Sequence, residues 1–385
     1  MHRNAMRTIH NVNIADRIYL DYAATAPLLP EVRAAMEPWL NAGNASSLYA
    51  EGRKAKAAID EARERISNVF ESLFAEILFT SSGTEAANMA IIGAALGNQD
   101  KRRTRILLGA SEHHCVLNCQ PILERLGYTV QLIPVNRFGV IDLNWLEDNI
   151  GDDVLLVSAM HANNEFGTIF PTKEISTIAK RSGALLFVDA IQTYRKLDWT
   201  ANDLGADLIS ISAHKIGGPK GAGALYIRAG TQVKPLLNGG GQEREMRGGT
   251  ENVAAIVGFG ESTIRTSPKQ NPVIRDLFEN ELMKRGATAT AQTENRLSGH
   301  CHVRFPGIQA ETMLIALDRL GLSASSGAAC SSGSIEPSHV MLAAGYTLDE
   351  AKEGLRFTFG PETKEQEANK ALEIIDCALK QVRTA

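Results

Sequence analysis

The amino-acid sequence predicts an α/β fold: a large domain with a mostly parallel seven-stranded sheet flanked by helices, plus a smaller α+β domain. Three observations predict it. Between about residues 75 and 228, short apolar runs rich in branched side chains read as buried strands: Ile77 to Thr80, Arg105 to Gly109, Thr129 to Val135, Val154 to Ala159, Leu185 to Val188, Leu208 to Ser212 and Ala224 to Ile227. Segments between them, such as Thr84 to Leu96 and Thr172 to Arg181, carry helical periodicity, and strand–helix alternation belongs to a parallel sheet covered on both faces. A break from Thr266 to Pro272, with Pro268 and Pro272 inside it, then precedes a region with its own helices (Glu311 to Leu320, Thr363 to Val382) and strands (His302 to Phe305, Leu355 to Thr358).

Ahead of the first strand, Pro30 to Leu40 and Glu51 to Phe70 read as helices, the second laced with charge as a partly exposed amphipathic helix should be. After the last strand comes a Gly-rich stretch, Asn238 to Thr250, and a further helix. A chain of 385 residues fits two or three domain-sized units, and 44% apolar residues supply an ample core. We place a large domain over 16–262 and a small domain over 1–15 together with 263–385. No repeats or low-complexity segments interrupt it.

A net charge of −4 gives no general argument for nucleic-acid binding, and no stretch is apolar enough for a signal peptide or a membrane span. Arg3 and Arg7 without a nearby acid hint at a transit peptide, but the segment is short and not amphipathic, so a frayed tail is expected. The five cysteines (115, 119, 301, 330 and 377) form no CxxC pair, and an odd count speaks for a reducing compartment, here the cytoplasm.

Five motifs lie at strand ends, each ambiguous alone. Ser212-Ala213-His214-Lys215 closes a buried strand before a Gly-rich turn. Its lysine suits a Schiff base with an aldehyde cofactor, and the Ser and His beside it suit a phosphate; alone it would read as a surface lysine. Asp189 closes the strand Leu185 to Val188, where an acid either caps the next segment or holds a pyridine nitrogen protonated, with Gln192 in reach of a phenolic oxygen. Ser81-Ser82-Gly83-Thr84-Glu85 opens an Ala-rich helix, so it is a phosphate site or an ordinary capping box; it is not a P-loop. Glu112-His113-His114 offers an imidazole that can stack on a ring and move protons. His161 to Gly167 carries Asn163 and Asn164, which make a turn or reach a ligand.

A second kind of signal comes from Ser325 to Ser334, small-residue sequence around Cys330 that should form a mobile loop with an available thiol. Arg356, on the strand Leu355 to Thr358, has the planar guanidinium suited to an amino-acid carboxylate.

From Ile18-Tyr19-Leu20-Asp21 to Arg356-Phe357-Thr358-Phe359-Gly360 the chain resembles the NifS/IscS-like cysteine desulfurases. This is the class with a longer active-site loop, within the fold-type I (aspartate aminotransferase-like) pyridoxal 5'-phosphate (PLP) enzymes of the class-V aminotransferase family. The most specific pieces are Ser212 to Lys215, His161 to Gly167, Gly239 to Thr250, and Ser325 to Ser334 followed by Glu336-Pro337-Ser338. The resemblance implies removal of sulfur from L-cysteine, leaving L-alanine and a persulfide on Cys330. It implies that Lys215 carries the Schiff base, Asp189 pairs with the pyridine nitrogen, Gln192 with the phenolic oxygen, and His113 stacks on the ring. Gly83, Thr84, Ser212 and His214 would hold the phosphate, and Asn164 and Arg356 the substrate carboxylate. Thr250 would reach the phosphate of the neighbouring subunit in a homodimer with shared active sites. A sulfur-acceptor protein, an iron–sulfur scaffold or a thiolation enzyme, is expected as a partner; no direct nucleic-acid binding is.

The chain departs from the family at Ala45 and Tyr49, where Pro and His are usual, and at Tyr194-Arg195-Lys196, where small residues and a Gly are usual. His300-Cys301-His302 replaces a plainer strand, but alternate side chains of a strand face opposite ways, so no metal site is expected there. The competing functions are another enzyme of this fold, such as an aminotransferase, a selenocysteine lyase or a kynureninase-like hydrolase, and a non-catalytic scaffold in sulfur transfer.

Overall fold

The computed structural model describes residues 17–268, 272–292, 294–327 and 336–384. Seven strands build the large sheet: β1 (Ile77–Thr80), β2 (Arg105–Gly109), β3 (Thr129–Ile133), β4 (Val154–Met160), β5 (Leu185–Asp189), β6 (Leu208–Ser212) and β7 (Gly223–Ile227). Their spatial order is β1-β7-β6-β5-β4-β2-β3. Only β7 is inverted, antiparallel to both β1 and β6, while the other pairings are parallel. The seven apolar runs thus form one mostly parallel sheet. Apart from the edge strand β3, which is exposed or half-buried except at Ile133, they are buried along most of their length because helices cover both faces, and β4 is buried at every position.

One face is covered by α2 (Ala50–Phe70), α4 (Thr172–Ser182) and α5 (Val253–Arg265), which share a core with Phe79, Val157 and Val188. The other face packs Leu78, Leu108 and Leu156 on α3 (Gly83–Gly97), which is nearly all apolar because it is enclosed on most sides. The expected helix from Pro30 to Leu40 is shorter. α1 spans Pro30–Met36 and passes into a single 3-10 turn, Glu37–Trp39, because Pro38 has no N–H for the α-helical ladder.

A separate apolar core joins α6 (Val273–Lys284), α7 (Ala310–Arg319), α8 (Glu365–Thr384) and the antiparallel pair β8 (His300–Arg304) and β9 (Gly354–Thr358). Ile18 and Leu20 belong to this core; Ile18 and Tyr19 pair with Leu322 and Ser323, and Asp21 bridges to Thr358. The N-terminal strand therefore leads from the small core straight to the end of the large sheet. In β8, Cys301 faces that core, whereas the ring of His302 packs against Phe166 and bonds Thr290 Oγ1 through Nδ1 (2.9 Å). Among the described residues no three His, Cys, Asp or Glu side chains gather as a metal site, and no helix is long and apolar enough to cross a membrane.

The Gly-rich segment after β7 is tied down by a buried ion pair. Arg63 of α2 grips Glu243 through both carboxylate oxygens (2.7 and 2.6 Å), and Glu243 also accepts the amide of Phe79 (2.8 Å). Glu243, Arg244 and Glu245 lie in succession in the left-handed region (φ 47°, 57° and 65°), which non-glycine residues enter at a cost of roughly 1–2 kcal/mol each. Arg195 is also left-handed (φ 55°); its side chain donates twice to Thr266 O (3.1 and 2.8 Å), which holds the strained turn in place.

Candidate active site

Five strands that run the same way end together, and each delivers one of the predicted motifs. Ser82, Gly83 and Thr84 follow β1; His113 and Cys115 follow β2; Asn164 follows β4; Asp189 and Gln192 end and follow β5; Ser212, His214 and Lys215 end and follow β6. All of these residues line one cavity, completed by Met160, Ala162 and Ile191. Ligands in open α/β sheets bind outside the carboxyl ends of strands for this reason: the turns there converge from many places in the sequence.

The turn after β1 caps the helix it opens. Ser82 caps α3, accepting from Glu85 N (3.1 Å), and Glu85 accepts in turn from Ser81 N (2.8 Å) and Ser81 Oγ (2.5 Å). The first amides of a fifteen-residue helix therefore face the cavity beside Gly83. A Cβ at Gly83 would stand 2.2 Å from Ile191 Cδ1, so any larger residue would have to displace the Ile191 side chain from the turn after β5. Ser212 Oγ is buried and has no hydrogen-bond partner, an orphan donor that a phosphate oxygen would satisfy.

Asp189 is 6% exposed and accepts from Ile191 N (2.9 Å); burial pushes its carboxyl up to about 6, partly opposed by that hydrogen bond. It is thus mostly ionised at neutral pH. Lys215 sits on the 3-10 turn Ala213–Lys215, and its Nζ donates to Ala23 O (2.6 Å) and Ala24 O (2.9 Å). Burial, then the charge of Arg356, brings its amine down to about 8, so a usable fraction is neutral near pH 7. Gln192 also lines the cavity; its Nε2 donates to Ala23 O (3.0 Å) and its Oε1 accepts from Lys196 (3.3 Å). His214 Nδ1 pairs with Thr25 Oγ1 (3.2 Å).

The two neighbouring asparagines divide their labour. Asn163 makes the turn, its Oδ1 accepting from Glu165 N and Phe166 N (2.8 and 2.9 Å). Asn164 lines the cavity with a buried, partnerless Oδ1. Arg356 lies next to them but is not part of the cavity wall: Nη1 donates to Asn164 O (2.8 Å), Nη2 to Asp21 Oδ1 (2.7 Å), and Nε is left without a partner. Thr250 is exposed and also outside this cavity. Cys330 and its neighbours 328–335 lie outside the described residues. Cys115, Met160, Ala162 and Ile191 were given no role from the sequence; their only signal is a position within, or one or two residues from, a motif.

His113 Nδ1 accepts from the amide of Cys115 (3.1 Å), which leaves Nε2 as the protonated nitrogen of the neutral ring. Burial, then Lys215 and the neighbouring imidazoles, lower its pKa to about 4. As it stands, His113 is a neutral N–H donor, and taking up a proton requires Nδ1 to release the amide.

Burial gives the chain an unusual proton balance. His161 and His214 are lowered to about 4 and His302 to about 3, while His300 falls well below its usual range. His114 and His339 shift the same way. Three buried carboxyls shift oppositely: Glu112 rises to about 8, Glu165 to about 7 and Asp189 to about 6. Between about pH 6.5 and 4 the unfolded chain gains protons on these imidazoles that the folded chain refuses, and the three carboxyls offset only part of this. Where the unfolded state holds more protons, stability falls as pH falls. The melting temperature of the cofactor-free protein is expected to drop as pH is lowered from 6.5 to 4.5; a melting temperature that climbs over that interval contradicts the balance.

The class-V aminotransferase family profile matches residues 18–370. The chain is 42% identical over 377 residues to "Cysteine desulfurase IscS" of Dictyoglomus turgidum, covering 95% of each protein. It is 38% identical over 375 residues to "Cysteine desulfurase IscS 1" of Archaeoglobus fulgidus, covering 95% of this chain and 98% of that one. Among solved structures it is similar to a "NifS-like protein" (TM-score 0.89, 33% identity, 94% of this chain and 99% of that one). It is also similar to "SspA in complex with cysteine" (TM-score 0.81, 32% identity, 90% and 99%).

Proposed function

Because this chain belongs to the class-V aminotransferase family and is a PLP-dependent cysteine desulfurase like its IscS and NifS-like relatives, we propose that Cys330 carries the sulfur and that the cavity residues prepare the substrate for it. The observation that carries this is the meeting of Lys215, Asp189, His113, Ser212 and Asn164 in one cavity at the ends of parallel strands. The donors fit PLP: the start of α3 and the orphan Ser212 hydroxyl for its phosphate, the Asp189 carboxylate for its ring nitrogen, and the Lys215 amine for its aldehyde.

When bound, the cofactor withdraws electrons from the Cα of the amino acid joined to it. Lys215, with an amine lowered to about 8, takes the Cα proton. Asn164 offers its amide to the substrate, and Arg356, steadied by Asp21, offers its positive charge to the substrate carboxylate. The partnerless Nε of Arg356 is buried, so direct contact needs a local shift of Asp21 or the 164 carbonyl. His113 donates its Nε2 proton on the cofactor side. Cys330, as thiolate, attacks the substrate sulfur; the carbon–sulfur bond breaks toward carbon, which takes up protons and leaves as alanine, and Cys330 retains the sulfur as a persulfide.

Two further parts belong to the same proposal. Thr250, exposed on its Gly-rich segment, reaches the site of a second copy in a homodimer. An acceptor protein, in iron–sulfur cluster assembly or in tRNA or cofactor thiolation, takes the persulfide sulfur in the cytoplasm; the four described cysteines are free, as a reducing compartment requires. Incubating the holoenzyme with sulfur-labelled cysteine should add one labelled sulfur atom to the peptide containing Cys330, with alanine formed in step. Label on another cysteine, or pyruvate in place of alanine, would favour a different enzyme of this fold.

A further inference from the structure

Glu165 is fully buried, and nothing in the chemistry above uses it. It follows Asn164 in the turn after β4, and its amide is held by Asn163 Oδ1 (2.8 Å). Its side chain meets two pieces of chain that flank residues 328–335. On one side, Ser338 Oγ donates to Glu165 Oε2 (2.5 Å) while accepting from Met341 N (3.1 Å), so Ser338 joins Glu165 to the helix His339–Ala343. On the other side, the Cα of Gly327 rests on the carboxyl group: a Cβ there would stand 2.6 Å from Glu165 Cδ and Oε2, at a φ of 82°. Gly327 stands two residues after Ser325, whose backbone pairs in both directions with Arg356 (3.1 and 2.6 Å).

A carboxyl group is an expensive way to fill this space. Glu165 Oε1 has no hydrogen-bond partner, and burial raises the acid well above its usual range, with Ser338, Arg356 and His114 acting against the shift. An apolar side chain of similar volume would pack without that desolvation cost. This side chain touches Gly327 and Ser338 at once, beside the cavity wall formed by Asn164.

We infer that Glu165 is a positioning residue for sulfur transfer: its side chain fixes the relative placement of Gly327 and Ser338, the residues on either side of 328–335, and so sets where the Cys330 thiol is presented. This rests on Cys330 being the sulfur carrier. Fixing both ends of a short segment narrows the volume its middle explores, and misplacing a reacting group by about 1 Å can cost on the order of 10²-fold in rate.

The test uses holoenzyme mixed rapidly with labelled cysteine and two readouts: the cofactor absorbance change on cysteine binding, and the rate at which label appears on Cys330. Glu165→Ala should leave the first within about twofold and slow the second by about tenfold or more. Glu165→Gln keeps an acceptor for Ser338 and should return the second rate to within about threefold of wild type. Gly327→Ala, whose methyl meets the Glu165 carboxyl at a left-handed φ of 82°, should, like Glu165→Ala, slow label transfer while leaving the absorbance change within about twofold. If Glu165→Ala does not fold, Ser338→Ala replaces it, with a slowing of severalfold expected. Equal transfer rates in wild type and Glu165→Ala overturn the inference, as does a matching fall in both readouts, or a Gln variant as slow as the Ala variant. Absence of label from Cys330 in the wild type overturns the underlying assignment of Cys330 instead.

Discussion

Lys215→Ala protein should bind PLP without the visible absorbance of a lysine-linked cofactor, and should lose cysteine desulfurase activity by about 10³-fold or more. The amine is lowered to about 8 by burial and by Arg356, so no other group in the cavity offers a comparable base. Lys196, lowered to about 7 by burial, is not among the residues that line this cavity, and its Nζ is directed to Gln192 Oε1 (3.3 Å). The fold should tolerate the change. Only the contacts to the carbonyls of Ala23 and Ala24 are lost, worth about 1 kcal/mol each, against removal of a buried charge that was costly to hold. Absorbance and single-turnover alanine formation measure both parts; survival of the visible band would show that a different lysine is the anchor.

Cys330→Ser protein should keep its cofactor absorbance and its response to cysteine, yet form no persulfide and release sulfur at least about 10²-fold more slowly. A serine hydroxyl cannot ionise near neutral pH, and Cys115, Cys119 and Cys301 cannot take over. Cys115 lines the cavity, but burial, followed by the charges of Asp189 and Glu112, pushes its thiol far above the usual range. Cys119 rises to about 11 by burial, and Cys301 is shut in the small core and shifted well upward. Cys377 is exposed, on α8. Full-speed sulfur release from this variant would remove Cys330 from the mechanism.

How much of this could be read from the chain depended on sequence distance. The seven strands were legible because a sheet covered on both faces needs uninterrupted apolar runs, and the site followed from what each run ended in: Thr80 before Ser82, Met160 before His161, Asp189 and Ser212 at the last position. The relationships that span the chain were not legible. Nothing near Arg356 announces that its guanidinium pairs with Asp21, near the opposite end of the sequence. Nothing near Gln192 announces that its amide bonds Ala23 as well as Lys196. Glu165 went unnoticed inside a motif whose asparagines drew attention, because Gly327 and Ser338 give no local sign that a carboxyl will stand between them. Local pattern reports what an element buries; it does not report which remote backbone will satisfy a buried polar atom.

The clamp between Arg63 and Glu243 bears on the stretch that ends at Thr250. Three successive left-handed residues would relax if that guanidinium let go, so the stretch is shaped by the body of its own subunit before anything touches it. A limb that is already rigid surrenders little freedom when it docks, and more of the contact energy remains as affinity. Loosening Arg63, deep under α2, would therefore be felt at a surface it never reaches.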